Sequence, residues 1–237
     1  MVGMTRAHMA DPHIVQKVME GREDDIRPCV GATYCLDRIY QGGEALCIHN
    51  AATGRELTMP HVISPADARK SIVVVGAGPG GLEAARVCAE RGHEVTVFEA
   101  ADQPGGQIRL TTQTPRKREM IGIIDWRMAQ CSARNVRFHF HTYADAADVT
   151  AITPDIAIIA TGGLPNLELF ETRGEADHVV STWDILSGEA KPAGRVLIYD
   201  ESGDNPGLQA AEMVADAGCE VEVMTPDRSI APDVMGM

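Results

Sequence analysis

The sequence has few aromatic residues and no long hydrophobic run. Phe, Trp and Tyr together make up 4% of the 237 residues, which argues against a surface that stacks nucleic-acid bases. Nowhere do about 18 apolar residues follow one another, so no transmembrane helix is predicted. Six cysteines are too few for a disulfide scaffold in a chain of this length. We therefore expect a soluble, cytoplasmic protein.

Positive charge is also scarce. The chain has 21 Lys and Arg residues against 34 Asp and Glu, a formal net charge of -13, and this negative field repels nucleic acid and anionic membranes. The hydrophobic share of 44% and the charged share of 23% are those of a globular protein. The 23 glycines indicate a backbone that turns often and packs closely. This composition favours an α/β nucleotide-binding fold.

A glycine-rich loop at residues 76–81 follows a β-branched apolar run and precedes a predicted helix and a second strand. In a G-x-G-x-x-G loop in this context, Gly76 permits the tight turn and Gly78 lets the backbone approach a pyrophosphate. Gly81 lets the helix pack closely on the strand. Glu99, at the end of the second strand, would accept hydrogen bonds from the adenosine ribose and repel the 2′-phosphate of NADP. The loop predicts a dinucleotide site.

Two further segments favour FAD, or a bare ADP moiety, over NAD. The double glycine at 105–106 precedes Gln107, and residues 160–162 read Ala-Thr-Gly. Together they resemble the signature of FAD domains in flavoproteins with two dinucleotide-binding domains. The predicted flavin-site residues are Gly76, Ala77, Gly78, Gly80, Gly81, Glu99, Gly106, Gln107, Thr161 and Gly162.

An internal repeat predicts a second βαβ unit. Residues 195–199, 207–211 and 218–223 echo the first strand, helix and second strand of the glycine-loop unit. Asp200 stands where the first unit has Gly76, the loop is two residues longer, and Thr225 replaces the acidic strand end. Carboxylates facing ligand phosphates are costly, so we expect weak or absent nucleotide binding there.

Three cysteines lie close together in a glycine-containing region with little periodicity. Cys29 and Cys35 are followed after eleven residues by Cys47, and soft thiolates favour iron–sulfur clusters or zinc. This spacing differs from the two close pairs of a usual zinc site. Three free thiols remain an alternative, because Ala32 stands at the expected position of a second ligand.

The sequence resembles one family. The resemblance rests on residues 5–12, residues 26–31, the Cys35 to Cys47 spacing, residues 47–51 and the flavin loop. They look like the multi-cofactor NADH:flavin oxidoreductases, which include 2,4-dienoyl-CoA reductase, trimethylamine dehydrogenase and histamine dehydrogenase. Ala32, Tyr34 and residues 37–40 are most similar to the N-methylproline (betaine) demethylase branch.

The resemblance implies an α/β fold with a Rossmann-like FAD/NAD(P)-binding domain as its centre. It implies the end of a TIM-type β/α barrel at residues 1–27, an iron–sulfur region and linker at 28–69, the FAD domain at 70–190, and a truncated NAD(P)H-like unit at 191–237. A predicted amphipathic helix at residues 13–20 would bury its apolar face, Ile14, Val15, Val18 and Met19, on the rest of such a barrel. The chain is expected to be a C-terminal fragment.

The resemblance also implies cofactors and roles. Arg6 matches an arginine that contacts the phosphate of barrel-bound FMN, and Cys29, Cys35 and Cys47 match ligands of a 4Fe-4S cluster. The family's second cysteine is Ala32 here, so Asp37 or an outside residue would have to replace it. The chain would carry electrons between FMN, cluster and FAD, while a small-molecule substrate binds upstream.

Other interpretations stay open. The catalytic residues of such an enzyme would lie in the upstream barrel, so none is assigned in this chain, and a homo-oligomer is an open expectation. The chain is alternatively a stand-alone FAD/NAD-binding module without a cluster, or a zinc-stabilised interaction fragment.

Overall fold

The computed structural model describes residues 2–167 and 178–234. The chain divides into two compact units, Met1–Ile108 with Glu119–Gly162, and Arg109–Arg118 with Gly163–Met237. These units do not correspond one to one with the four predicted segments, whose boundaries stay predictions.

The first unit is built on a parallel four-stranded sheet. Its strands are β1 (Ser71–Val75), β2 (Glu94–Phe98), β3 (Arg137–His139) and β4 (Ile156–Ile159). They lie in the order β3-β2-β1-β4, and Val73 of β1 pairs with Thr96 on one side and Ala157 on the other. Because the strands are parallel, their carboxyl ends share one edge, which is the edge that binds ligands in folds of this type.

Seven of the described helices lie in this unit or begin in it. They are α1 (Arg6–Ala10), α2 (Ile14–Met19), α3 (Tyr34–Tyr40), α4 (Pro79–Glu90), α5 (Gln107–Thr111), α6 (Gly122–Ala133) and α7 (Ala146–Ala151). Short 3₁₀ helices cover Glu23–Asp25 and Pro115–Ile121. Helices α4 and α6 pack on the sheet, where Leu82, Ile123 and Ile124 join Val74 and Val97 in a fully buried core. Burial of apolar surface is the main stabilising contribution of such a core.

The second unit contains a parallel βαβ arrangement. Its elements are α8 (Thr182–Ser187), β5 (Arg195–Tyr199), α9 (Asn205–Asp216) and β6 (Glu220–Met224), and β5 pairs with β6 in parallel. The core is small, with Ile185, Ile198, Ala210 and Val214 buried. The predicted α/β, Rossmann-like fold is confirmed, including the second βαβ unit. No helix that the structure describes is both long and apolar enough to cross a membrane.

Three local features differ from what the sequence pattern predicts. The sequence of residues 116–134 predicts one helix, but the structure has a 3₁₀ segment followed by α6. The cysteine region contains a regular helix, α3, directly after Thr33. The apolar run at 156–159 predicts a buried strand, yet Ile156 is 41% exposed and Ile159 69% exposed, because β4 lies at the edge of the four-stranded sheet.

Helix α2 forms as predicted, but its apolar face is largely uncovered. Ile14 is buried, whereas Val15, Val18 and Met19 are 56%, 48% and 83% exposed. Asp11, just before this helix, is almost fully buried. Its Oδ1 accepts from the backbone N–H of His13 at 3.0 Å, and its Oδ2 pairs with Lys17 Nζ at 2.6 Å. The helix is therefore held by a buried ion pair rather than by its apolar stripe.

Candidate functional site

Two glycines of the loop after β1 are required by close backbone packing. Gly76 has a φ of +102°, and a Cβ placed there would lie 2.4 Å from the carbonyl oxygen of Ala160. A Cβ at Gly81 would lie 1.9 Å from the carbonyl oxygen of Gly76. The tight turn and the close approach of helix to strand that the motif predicts are both present.

Gly78 and Gly80 border open space instead. A Cβ at either position would meet no atom of the described residues within 4 Å, and Gly78 has an ordinary extended conformation as the N-cap of α4. The space in front of α4 is therefore open at the helix N-terminus, where backbone N–H groups and the helix dipole favour an anion. These two positions leave room for a pyrophosphate.

Glu99 is fixed beside this loop. Its Oε2 accepts a hydrogen bond from the backbone N–H of Ala77 at 2.6 Å, and its Oε1 accepts from that of Ala101 at 2.9 Å. A carboxylate oxygen has more than one acceptor site, so Glu99 can hold the loop and still accept from a ribose hydroxyl. Glu99 directly follows β2, so its side-chain carboxylate lies at the edge of the sheet where the strands end.

The other predicted flavin-site residues converge on the same edge. The N–H of Gly105 donates to the carbonyl of Ala77 at 2.9 Å, and a Cβ on Gly106 would lie 3.4 Å from Gly78 Cα. A Cβ on Gly162 would lie 3.8 Å from Gln107 Nε2, and one on Gly76 would lie 3.2 Å from Thr161 Cα. Segments after β1, β2 and β4 thus form one cradle.

The three clustered cysteines line one small cavity in the first unit. Cys29, Cys35 and Cys47 share it with Arg6, the first residue of α1. Its other lining residues are Val30, Gly31, Ala32, Thr33, Tyr34, Ile48 and His49. Cys29, Cys35 and Cys47 are free thiols. Within residues 2–167 and 178–234, no three His, Cys, Asp or Glu side chains lie close enough to hold one metal ion.

The backbone around Ala32 bends sharply. Gly31 and Thr33 both have positive φ, +65° and +58°, so the chain wraps around the cavity before α3 begins at Tyr34. Cys35 lies in the first turn of α3. Asp37 follows two residues later, about 200° around the helix, and it is absent from the described lining of the cavity. The structure does not bring Asp37 to the cysteines.

His49 lies at this cavity, and the sequence analysis did not single it out. Its side chain is 1% exposed, Nδ1 lies 3.0 Å from the carbonyl oxygen of Pro28, and the buried Nε2 has no hydrogen-bond partner in the described structure. Burial lowers the pKa of His49 to about 3, so the imidazole is neutral. The Cys-x-His spacing of Cys47 and His49 was the available sequence signal.

A buried charge network joins the cysteine region to the dinucleotide domain. Glu83 of α4 accepts from Arg86 at 2.7 Å and forms an ion pair with Arg127 of α6 at 2.9 Å, although the Arg127 Nε is not aligned for a hydrogen bond. Arg127 also donates to the carbonyl of His49 at 3.2 Å. Burial raises the pKa of Glu83, but the bond from Arg86 and the charges of nearby arginines outweigh it and lower that pKa to about 2.

The second unit's loop is filled by a side chain. Asp200 is 4% exposed, its Oδ1 accepts from the N–H and hydroxyl of Ser202 at 3.1 and 2.8 Å, and a Cβ on Gly207 would lie 2.7 Å from Asp200 Cγ. Asp200 therefore packs against the start of α9. In the first unit, the corresponding residue is a glycine.

Comparison with known proteins places these features in context. A family model described as an NAD(P)-binding Rossmann-like domain matches residues 74–137. The chain is 67% identical over 237 residues to a probable N-methylproline demethylase of Rhizobium meliloti (strain 1021), covering 100% of this chain and 35% of that protein. It is 50% identical to an N,N-dimethylglycine/sarcosine dehydrogenase of Chromohalobacter salexigens, covering 96% and 34%.

A solved structure is also similar to this chain. The 6-hydroxypseudooxynicotine amine oxidase of Pseudomonas geniculata N1 superposes with a TM-score of 0.92 at 30% identity, covering 98% of this chain and 37% of that one. The chain thus spans about a third of the length of the proteins it matches. Each of these three matched proteins aligns with at least 96% of this chain.

Proposed function

We propose, from the premise that this chain belongs to the multi-cofactor NADH:flavin oxidoreductase family, that it forms the electron-transfer part of a flavin- and iron–sulfur-dependent oxidoreductase. The observation that carries the proposal is the pairing of two sites in one compact unit. The dinucleotide cradle lies at the carboxyl edge of the sheet, and the three-thiol cavity lies in the segment that the charge network ties to α4 and α6.

The cradle is proposed to hold FAD or its ADP moiety. The N-terminus of α4 would bind the pyrophosphate in the open space beside Gly78, and Glu99 would accept hydrogen bonds from the ribose. The backbone at Gly106 passes next to Gly78. This arrangement supports a ligand that extends beyond the glycine loop rather than one that ends at the loop. The carboxylate of Glu99 also disfavours a 2′-phosphate.

The three thiols are proposed to hold an iron–sulfur cluster of the 4Fe-4S type. Such a cluster binds each protein ligand at a different iron, so its ligands need not meet at one ion. Three soft thiols and His49, whose buried Nε2 has no partner among the described residues, line the same cavity and support this assignment. Bound flavin supplies two-electron chemistry and the cluster single-electron transfer. The chain's own part is to hold both groups, set their surroundings and exclude water.

The whole protein is proposed to be an amine or N-methyl demethylase, or an enoate reductase, of the cytoplasm. Its small-molecule substrate and FMN would bind in a β/α barrel outside this chain, with Arg6 contacting the FMN phosphate. The exposed apolar face of α2 is a surface that such a barrel would cover. We expect no nucleic-acid partner.

The composition of the purified protein tests this proposal. Flavin absorbance together with iron and acid-labile sulfide supports it. Flavin without metal would instead indicate a stand-alone dinucleotide module, zinc without flavin would indicate a zinc-stabilised fragment, and protein lacking both groups would refute it.

A cysteine variant tests the ligand assignment. Cys35→Ser should lose iron and sulfide but keep flavin, because the cradle does not include the cavity. Cys219→Ser is the matched control, since its sulfur donates to the Pro192 carbonyl in the second unit and a hydroxyl can replace it. Unchanged iron in Cys35→Ser would contradict the assignment.

A further inference from the structure

We propose that His49 is the fourth protein ligand of the cluster, through Nε2, alongside Cys29, Cys35 and Cys47. This inference rests on the proposed function, because it requires a cluster in the three-thiol cavity. It goes beyond that function by assigning a mixed set of three thiolates and one imidazole.

The cysteine cavity has one ligand too few for a four-iron cluster held only by thiolates. Such a cluster takes one protein ligand at each iron, and the described lining of the cavity offers three thiols. Ala32 also lines the cavity, between the two residues with positive φ, but a methyl group cannot bind iron. A donor must come from another position in the wall.

His49 supplies a donor atom with nothing else to bind. Its Nε2 is buried and has no hydrogen-bond partner among the described residues, and leaving such an atom unsatisfied costs about 1–3 kcal/mol. The Pro28 carbonyl, 3.0 Å away, can only accept, so Nδ1 carries the proton and Nε2 keeps its lone pair. Metal-binding histidines are commonly oriented by this kind of bond to a carbonyl.

The position of His49 is fixed from three sides. Cys47 lies two residues earlier on the same segment, Arg127 donates to the His49 carbonyl at 3.2 Å, and the ring meets Trp126 edge-on at 5.4 Å between centroids. A side chain this constrained keeps its orientation at little further entropic cost.

The other polar side chains at the cavity are weaker candidates. Thr33 uses its hydroxyl to donate to the Ala32 carbonyl at 2.7 Å, and the Tyr34 side chain is 37% exposed. Neutral hydroxyls are poorer ligands for iron–sulfur clusters than imidazole, which replaces cysteine at one iron of Rieske centres. Arg6 is a cation with no acceptor.

Pulsed EPR on the chemically reduced protein tests the proposal without any variant. Protein grown with ¹⁵N-labelled histidine should show a strong ¹⁵N hyperfine coupling to the reduced cluster, replacing the ¹⁴N coupling of unlabelled protein. A four-iron cluster without nitrogen coupling would overturn the His49 assignment and leave the cluster proposal standing. Protein that binds no iron and sulfide would overturn both.

Variants separate ligation from a structural role. His49→Ala should lower the iron content from about four to about three atoms per chain and abolish the nitrogen coupling. His49→Cys should retain about four irons and shift the reduction potential to a more negative value, because an anionic thiolate replaces a neutral imidazole. His178→Ala, at an exposed histidine of the second unit, should leave the iron content, the nitrogen coupling and the reduction potential unchanged. Full iron content with unchanged potential in His49→Ala would refute the proposal.

Discussion

Two glycines in one loop should respond oppositely to substitution. At Gly81 an added Cβ would lie 1.9 Å from the Gly76 carbonyl oxygen, whereas real Cβ contacts essentially never fall below 3.0 Å. Helix α4 would have to move away from β1 by at least about 1 Å. Overpacking of this kind costs about 3 kcal/mol, which lowers the melting temperature of a chain this size by roughly 6–12 °C.

At Gly78 the same addition touches nothing within 4 Å. Gly78→Val should therefore cost only about 1 kcal/mol, the cost of a poorer N-cap residue. Its side chain would occupy the space for the pyrophosphate and break hydrogen bonds to a charged group, each contributing about 1.5–3 kcal/mol. Loss of two such bonds, about 3 kcal/mol at least, weakens FAD binding at least about 100-fold.

The assay pairs thermal unfolding of flavin-free protein, followed by circular dichroism, with calorimetric titration of FAD and of ADP. Gly81→Ala should lower the melting temperature strongly, and Gly78→Val should weaken both ligands with its fold and iron content retained. FAD affinity within threefold of wild type in Gly78→Val would refute the placement of the pyrophosphate. An unchanged melting temperature in Gly81→Ala would refute the packing argument.

Two further predictions concern the charge network and the second unit. Because the pKa of Glu83 is lowered from 4.5 to about 2, its stabilising contribution, about 3 kcal/mol, is present above pH 4.5 and lost as the pH falls towards 2. Glu83→Gln should flatten this part of the stability profile in urea unfolding, and an unchanged profile would contradict it. Because Asp200 fills the second loop, FAD or NADH titrations should saturate at one dinucleotide per chain, and a second NADH site would refute this.

The charge network explains how the cysteine region is held without a core of its own. Trp126 donates to the Asp25 carbonyl at 3.0 Å, and the guanidinium of Arg27 lies 4.3 Å above its ring. Arg127 holds the segment after Cys47 through the His49 carbonyl. Helix α6 contacts the chain on both sides of the cysteines. Substitutions in α6 should therefore alter the geometry of the cysteine cavity.

The dinucleotide domain is predictable from the amino-acid sequence alone. A β-branched run, a G-x-G-x-x-G loop and an acidic strand end are consecutive along the chain, so their spacing alone predicts β1, α4 and β2 and the cradle they form. The repeat at 195–223 was recognisable for the same reason. Residues near in sequence adopt such units through local rules of periodicity and glycine placement.

Which side chains are buried and which groups pair could be read only from the folded protein. The tertiary structure left Val15 and Ile159 exposed although both belong to apolar patterns, and it buried Asp11 against Lys17. It also placed the partly buried Glu83 beside arginines. It separated Asp37 from the cysteines and placed at their cavity His49, whose Nε2 has no hydrogen-bond partner among residues 2–167 and 178–234. These outcomes depend on contacts between distant segments, which the order of residues does not specify. The physical reason is that desolvation and pairing act on neighbours in space.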